Sequence, residues 1–157
     1  MDICEKIISS VDWAQLHTMQ GDATQFGEAL LQLIRSQDSH EAKTIWRREI
    51  ENVVFAQNGI YDAAVPTIDV VLAVLVTDRP THVKCSALEL LFCILNGGSA
   101  EKPDLFRRCS ERATKGIWLL MREAVSGPEW VLDAVLDIMD ILDPAQADAL
   151  RSWANSS

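Results

Sequence analysis

The sequence has few of the residues from which active sites and metal centres are built. It contains three histidines and a single tyrosine. No histidine is spaced from a cysteine, a serine or a carboxylate as in a catalytic or metal-binding motif; the three are His17, His40 and His82. The glycine-rich stretch 96–99 lacks the lysine and the preceding strand of a phosphate-binding loop. The pattern therefore predicts a protein that is not an enzyme and holds neither metal nor cofactor.

Basic residues are also scarce, and no apolar run reaches the length of a membrane helix. Lys and Arg number 14 against 23 Asp and Glu, which gives a formal net charge of −9. Nucleic-acid binding needs clustered Lys and Arg, so this charge argues against it and fits a basic protein partner instead. The densest apolar run, 70–76, is far shorter than the roughly 18 residues of a membrane span. The first ten residues, MDICEKIISS, lack the apolar run of a signal peptide. We therefore expect no membrane association and a cytoplasmic location.

Cysteine pairs are missing as well. The four cysteines form no CxxC motif and no metal-ligand spacing. Cys85, Cys93 and Cys109 lie among apolar neighbours, where a free cysteine behaves as a small core residue. We expect reduced, buried thiols, as is usual in the cytoplasm.

What the sequence does contain is helical periodicity, with apolar residues three and four positions apart in nearly every segment. We predict an all-α protein of about eight helices in a single domain, 1–157, with lead-in helices over 1–38 and about three helix pairs over 39–157. The sixth predicted helix bends at Gly116. The predicted helices cover 3–16, 23–35, 39–57, 66–76, 81–96, 103–126, 129–142 and 144–153.

The spacing of these helices indicates a repeat. The third, fifth and seventh helices begin near residues 39, 81 and 128, which are 42 and 47 residues apart. Helix pairs of roughly 40–47 residues are typical of HEAT-type solenoids, in which stacked pairs share a core. A proline recurs at the head of the second helix of each pair, at Pro66, Pro103 and Pro144. The fourth helix is apolar almost all round, so we expect neighbours to bury it on both flanks.

The turn before the fourth helix is the most distinctive local pattern. Asn58-Gly59 suits the end of one helix. Asp62 is placed to accept hydrogen bonds from the first N–H groups of the next helix. Pro66 falls in the first turn of that helix, where a missing N–H costs little. With Tyr61, these residues are predicted to set the angle between the two helices.

The segment 46–75, WRREIENVVFAQNGIYDAAVPTIDVVLAVL, resembles small bacterial HEAT-like proteins. Their pattern is an aromatic-bearing helix, a polar-Gly turn, an aromatic-acidic pair, and a small-x-x-Pro start to an apolar helix. The matching positions are Trp46, Gln57, Gly59, Tyr61, Asp62, Ala63, Ala64, Pro66 and Leu72. Proteins of this kind often accompany bacterial polymorphic toxins as their immunity proteins. The resemblance therefore implies an α-solenoid that binds a cognate toxin domain.

An acidic row on the seventh predicted helix is the first candidate for a partner-binding surface. Asp133, Asp137 and Asp140 are spaced i, i+4 and i+7, so they share one helix face, and Asp143 extends the row. A row of carboxylates can attract a basic protein. The alternatives are a solvated outer face and, since one helix rarely supplies enough ligands, less readily a metal site.

A second candidate surface carries mixed charge. Arg108 and Arg112 lie along one side of the sixth predicted helix, among acids that can pair with its cations locally. Together with Asp69, they are predicted to line the inner surface of the solenoid.

The five tryptophans are interpreted as packing residues rather than binding residues. Trp46 falls on a core stripe, and Trp118 and Trp130 are expected to be buried or half-buried. Trp13 and Trp153 lie near the two ends of the chain, where they can cover the terminal repeats.

These patterns together predict an acidic protein-binding module, monomeric when free, whose partner is a basic toxin domain. A HEAT-like adaptor in a larger assembly is the alternative of the same class. A cofactor-handling protein, of the HEAT-like kind that handles tetrapyrroles, is the alternative from another class. An aromatic groove lined with histidines would favour that last alternative, and the sequence contains no such cluster.

Overall fold

The computed structural model describes residues 1–56, 59–97 and 101–157. Helix accounts for 74% of the residues that the structure describes, which confirms the all-α prediction at the level of fold class. Within the described ranges there are nine α-helices: α1 Ile3–Ser10, α2 Thr24–Arg35, α3 Ser39–Ile45, α4 Ala64–Val76, α5 Thr81–Asn96, α6 Pro103–Thr114, α7 Ile117–Ser126, α8 Glu129–Leu142 and α9 Pro144–Asn155. None of them is long and apolar enough to cross a membrane.

The first predicted helix is too long, because the chain leaves the helix after Ser10. A 3₁₀ turn, Trp13–Gln15, follows, and then a two-residue hairpin joins β1 (His17–Thr18) to β2 (Gly21–Asp22). The indole of Trp13 is buried, and its Nε1 donates to the carbonyl of Ile8 at 2.8 Å. This bond ties the turn to the end of α1, which local periodicity cannot anticipate.

The third predicted helix is also wrong at its C-terminal end. A π-helical segment, Trp46–Ile50, continues α3, and the chain then passes through Asn52 at φ +60°. Val53 and Val54 are both buried, and their carbonyls accept from the backbone N–H groups of Met19 and Tyr61 respectively. These partners come from other parts of the chain, so tertiary pairing replaces the last predicted helical turns.

A second small hairpin takes the place of the predicted joint. It pairs β3 (Phe55–Ala56) with β4 (Gly59–Ile60). Gly59 has φ +151°, a conformation that favours glycine, but it lies in a strand and not at a helix end. The predicted helix end at Gln57 and Asn58 lies outside the described residues.

The sixth predicted helix is two helices, α6 and α7, which meet at Lys115 and Gly116. The break falls at the predicted bend. A Cβ on Gly116 would lie 2.2 Å from Cδ2 of Leu72, so any larger residue here would require the Leu72 side chain on α4 to shift.

Helix α4 lies at the centre of the fold, and the prediction that its neighbours bury it is confirmed. It packs against α1, α5, α6 and α7. Pro66 is its third residue, in the first turn as predicted. Nine of its thirteen residues are buried: Ala64, Val65, Thr67, Ile68, Val70, Val71, Ala73, Val74 and Leu75.

The helix contacts follow two series. In one, α3 packs on α2 and α5, and α5 packs on α8. In the other, α4 packs on α1 and on the pair α6–α7, while α8 contacts both α7 and α9. Helices α3, α5 and α8 begin at Ser39, Thr81 and Glu129, which are 42 and 48 residues apart. One hydrophobic cluster links the layers from Cys4 to Leu150.

Candidate functional site

The acidic row lies on the outer face of α8. The opposite face of this helix is buried through Val131, Val135, Ile138 and Met139. Asp133 and Asp137 are exposed, and neither makes an ion pair within the part of the chain that the structure describes. These two carboxylates, one helical turn apart, are the uncompensated centre of the row.

Asp140 is exposed like its neighbours, but a cation compensates it. Nη2 of Arg151 on α9 donates to its carboxylate, and Nη1 of Arg151 donates to Asp148 at 3.2 Å. The hydrogen bond from Arg151 lowers the pKa of Asp140 below its ordinary value. Its negative charge is therefore less available to a partner than those of Asp133 and Asp137.

Asp143 does not belong to the row. It is the N-cap of α9, and its Oδ1 accepts from the backbone N–H of Gln146 at 3.2 Å. A capping carboxylate of this kind stabilises the start of a helix. The sequence placed Asp143 with its neighbours because periodicity was extended past the end of α8, where the backbone leaves the helix.

The second predicted surface is partly assembled. Asp69 on α4 and Arg112 on α6 form a bidentate pair, in which Nε and Nη2 of Arg112 donate at 2.8 Å and 2.7 Å. The hydrogen bonds to Asp69 raise the pKa of Arg112. Arg108 is exposed and makes no ion pair with Asp69.

A groove of about 500 Å³ opens beside the Asp69–Arg112 pair. Its floor is the outward row of α4, which includes Pro66, Leu72 and Val76. One wall is α1, through Ile3, Ile7 and Val11, and the other is formed by Arg112 on α6 and Leu119 on α7. Val76 is 50% exposed and Ile3 is 46% exposed, which is unusual for large apolar side chains this close together.

Most other cations of the sixth predicted helix pair locally, as predicted. Arg107 binds Glu111 at 3.0 Å. Arg122 binds Glu123 at 3.1 Å and also donates to the carbonyl of Leu75. Glu123 is buried and accepts from Lys84 of α5 at 3.2 Å as well, so this cluster joins α5 to α7. These contacts therefore stabilise the packing of α5 on α7.

Two of the tryptophan predictions are wrong. Trp118 is 71% exposed and Trp130 is 40% exposed. Trp153 is also exposed, whereas Trp13 is buried and Trp46 is half-buried against the core. Tryptophans are enriched at binding hot spots, so Trp118 and Trp130 are candidate partner-binding residues. The prediction missed them because apolar periodicity placed both in the core.

The cysteines divide by burial. Cys4 and Cys109 are fully buried and Cys93 is half-buried, but Cys85 is exposed, which contradicts its predicted core position. Burial raises the pKa of both Cys93 and Cys109 to about 11. All four are free thiols.

The residues of the predicted turn make contacts that the sequence did not suggest. Asp62 makes no cap hydrogen bond to α4, which corrects its predicted role. It accepts from the backbone N–H of His17 and lies 2.9 Å from Nδ1 of the same residue. The ring of Tyr61 lies under Nζ of Lys102, 4.4 Å from the ring centroid. Both contacts hold neighbouring segments against the start of α4.

The His17–Asp62 pair is the one histidine–carboxylate contact in the described ranges. The side chain of His17 is 75% exposed, and it does not line the groove on α4. Among the residues that the structure describes, no three His, Cys, Asp or Glu side chains are placed to hold a metal ion. The arrangement is that of a tether between the first hairpin and α4.

Comparisons of the chain with protein families, with curated proteins and with solved structures find no match.

Proposed function

We propose that this chain is a protein-binding module that captures a basic partner through the outer face of α8. The observation that carries the proposal is the pair Asp133 and Asp137, exposed on one helix face and uncompensated within the described ranges. Uncompensated surface carboxylates attract a basic protein over several ångströms and speed its association. The net charge of −9 adds to that attraction.

We further propose that the partner is a bacterial toxin domain and that the architecture is a HEAT-like α-solenoid. The resemblance of residues 46–75 to HEAT-like immunity proteins supports the first statement. The second is supported by the two series of helix contacts and by the starts of α3, α5 and α8 at intervals of 42 and 48 residues. An adaptor within a larger assembly would use the same face of α8.

The test is binding of this chain to the candidate toxin domain, measured by surface plasmon resonance. That domain is the C-terminal domain of the protein encoded by the gene immediately upstream. The variant Asp133→Asn/Asp137→Asn removes the two uncompensated charges. Exposed ion pairs contribute about 0.2–1 kcal/mol each, so affinity should fall by a factor of about 2 to 30 at low salt. Most of this loss should be in the association rate, and it should shrink as salt is raised.

A matched control separates the α8 face from the net charge. The variant Asp12→Asn/Glu28→Gln removes the same number of exposed negative charges from other surfaces. It should bind and protect cells from the toxin like the parent, whereas the α8 variant should protect less. Equal behaviour of the two variants would show that α8 is only a solvated face.

A further inference from the structure

The groove on α4 has the shape of a helix-binding site. Its floor residues Pro66, Asp69, Ala73 and Val76 follow one another at intervals of three and four, so they form one face of α4. From Pro66 to Val76 the floor is about 15 Å long, at a rise of about 1.5 Å per residue. That length matches about three turns of an added helix.

Apolar side chains of an occupant can cover the floor of the groove without burying an unpaired charge. The only ionised groups that line the groove in the described ranges are Asp69 and Arg112, and each satisfies the other through two hydrogen bonds. A paired carboxylate and guanidinium cost much less to cover than a single charge. The remaining wall and floor residues are chiefly apolar, so an occupant gains by burying Ile3 and Val76, which are about half exposed.

The rims of the groove are cationic, in contrast to the chain as a whole. On α1, Lys6 lies on the same side as Ile3 and Ser10, which line the groove. On α6, Arg108 is one turn before Arg112, and Lys115 follows at its end. All three rim cations are exposed, and none makes an ion pair in the described ranges.

Several carboxylates of the same helices are engaged elsewhere and do not cancel these rim charges. Each binds an arginine at its own site: Glu5 binds Arg35, Asp2 binds Arg79, and Glu111 binds Arg107. Two other exposed carboxylates, Asp12 and Asp78, make no ion pair in the described ranges and follow the groove residues Val11 and Val76 in the chain. The three rim cations exceed these two carboxylates by one charge, which favours a negatively charged occupant.

We propose that this groove binds an acidic amphipathic helix supplied by a partner protein. The apolar side chains of that helix cover Ile3, Leu72 and Val76, and its flanking carboxylates face Lys6 on one rim and Arg108 and Lys115 on the other. This mode is helix-in-groove recognition. It is independent of the α8 proposal, because the two surfaces have opposite charge and select different segments.

The test uses two lactam-bridged, fluorescein-labelled helical peptides of about 14 residues and measures their fluorescence anisotropy. Both have leucine at i, i+3 and i+7; one has glutamate at the flanking positions and the other has lysine. The net charge of −9 repels the acidic peptide and attracts the basic one. Saturable, micromolar binding of the acidic peptide would therefore report the local rim charges and not the overall charge.

Two valine variants locate the binding. Val76→Glu should weaken binding of the acidic peptide at least tenfold, because it places a carboxylate among apolar side chains and beside the incoming acids. Val125→Glu is the matched control, since Val125 on α7 is 52% exposed and does not line the groove. It should leave binding unchanged. Lys6→Glu/Lys115→Glu should weaken the acidic peptide as well. Circular dichroism confirms that each variant is folded.

Three results would overturn the proposal. The acidic peptide could fail to bind, it could bind Val76→Glu as well as the parent, or Val125→Glu could weaken it equally. Sedimentation velocity at about 100 µM is a separate test. A dimer that Val76→Glu dissociates would show that a second copy of the chain covers the groove, and it would also overturn the proposal. Loss of toxin binding in the α8 variant would affect none of these outcomes.

Discussion

Gly27 on α2 is the position where adding a single methyl group should be most informative. An alanine Cβ there would lie 2.6 Å from Cδ1 and 2.7 Å from Cγ of Trp13. These atoms belong to a rigid ring, so the side chain cannot bend its far end away. The ring is only 8% exposed, packs edge-on against Phe26 at 6.0 Å, and donates to the carbonyl of Ile8. Relief of the clash therefore requires the indole to leave its site.

The expected cost follows from those contacts. Leaving the buried indole N–H without its acceptor costs about 1–3 kcal/mol. Loss of the edge-on contact with Phe26 costs about 0.5–1.5 kcal/mol more. Alanine in place of glycine in a helix stabilises the folded state by up to about 1 kcal/mol. Gly27→Ala should therefore lower the free energy of unfolding by roughly 0.5–4.5 kcal/mol, whereas the helix propensity of alanine alone would raise it.

Urea unfolding of the four proteins of a double-mutant cycle measures this coupling. Trp13→Ala by itself should cost about 3–5 kcal/mol. In that background the clash is absent, so Gly27→Ala should become neutral or stabilising by up to about 1 kcal/mol. A stabilising effect of Gly27→Ala in the parent, or the same effect in both backgrounds, would refute the placement of Trp13 against α2.

Burial would raise the pKa of Asp62, but the hydrogen bonds from His17 outweigh it and lower that pKa. The stabilisation is then present above the unfolded value of about 3.9 and is lost as pH falls through the folded pKa. Asp62→Asn should cost about 1 kcal/mol or less at pH 7, and the gap between the urea midpoints of variant and parent should close as the pH falls through the lowered folded pKa. Maleimide labelling followed by mass spectrometry should modify Cys85 first and Cys109 only on unfolding. The reason is that Cys109 is buried and its pKa is raised to about 11. Early labelling of Cys109 would contradict its burial. Asp143→Ala should lower stability to urea by about 1 kcal/mol, since it removes the N-cap of α9; an unchanged midpoint would return Asp143 to the acidic row.

The helices whose bounds the sequence predicted best are those that a proline precedes. Pro80 precedes α5 and Pro128 precedes α8, and both helices begin and end at the predicted residues. The prediction failed for the third helix, where Val53 and Val54 continue the apolar spacing but pair with backbone from elsewhere. An apolar residue is compatible with burial in a helix or in a paired extended segment, so spacing alone could not decide.

The candidate sites were predictable to different degrees. The exposure of Asp133 and Asp137 follows from the periodicity of α8, because their positions alternate with those of Val131 and Val135. The cationic rims of the α4 groove do not follow from any local pattern. They depend on which helices flank α4, and α1 and α6 are separated from it by long stretches of chain.

The sequence by itself determined the helical fold class, the acidic balance, the central burial of α4 and the outward acidic face of α8. Each of these depends on which residues share a helix face, and that information is periodic and local. Only the tertiary structure decided that Asp69 meets Arg112 across 43 positions, that Asp62 meets His17 across 45, and that Trp118 faces outward. Such contacts depend on the relative placement of segments distant in sequence, and a side-chain pattern read along one helix contains no information about the partner on the other side.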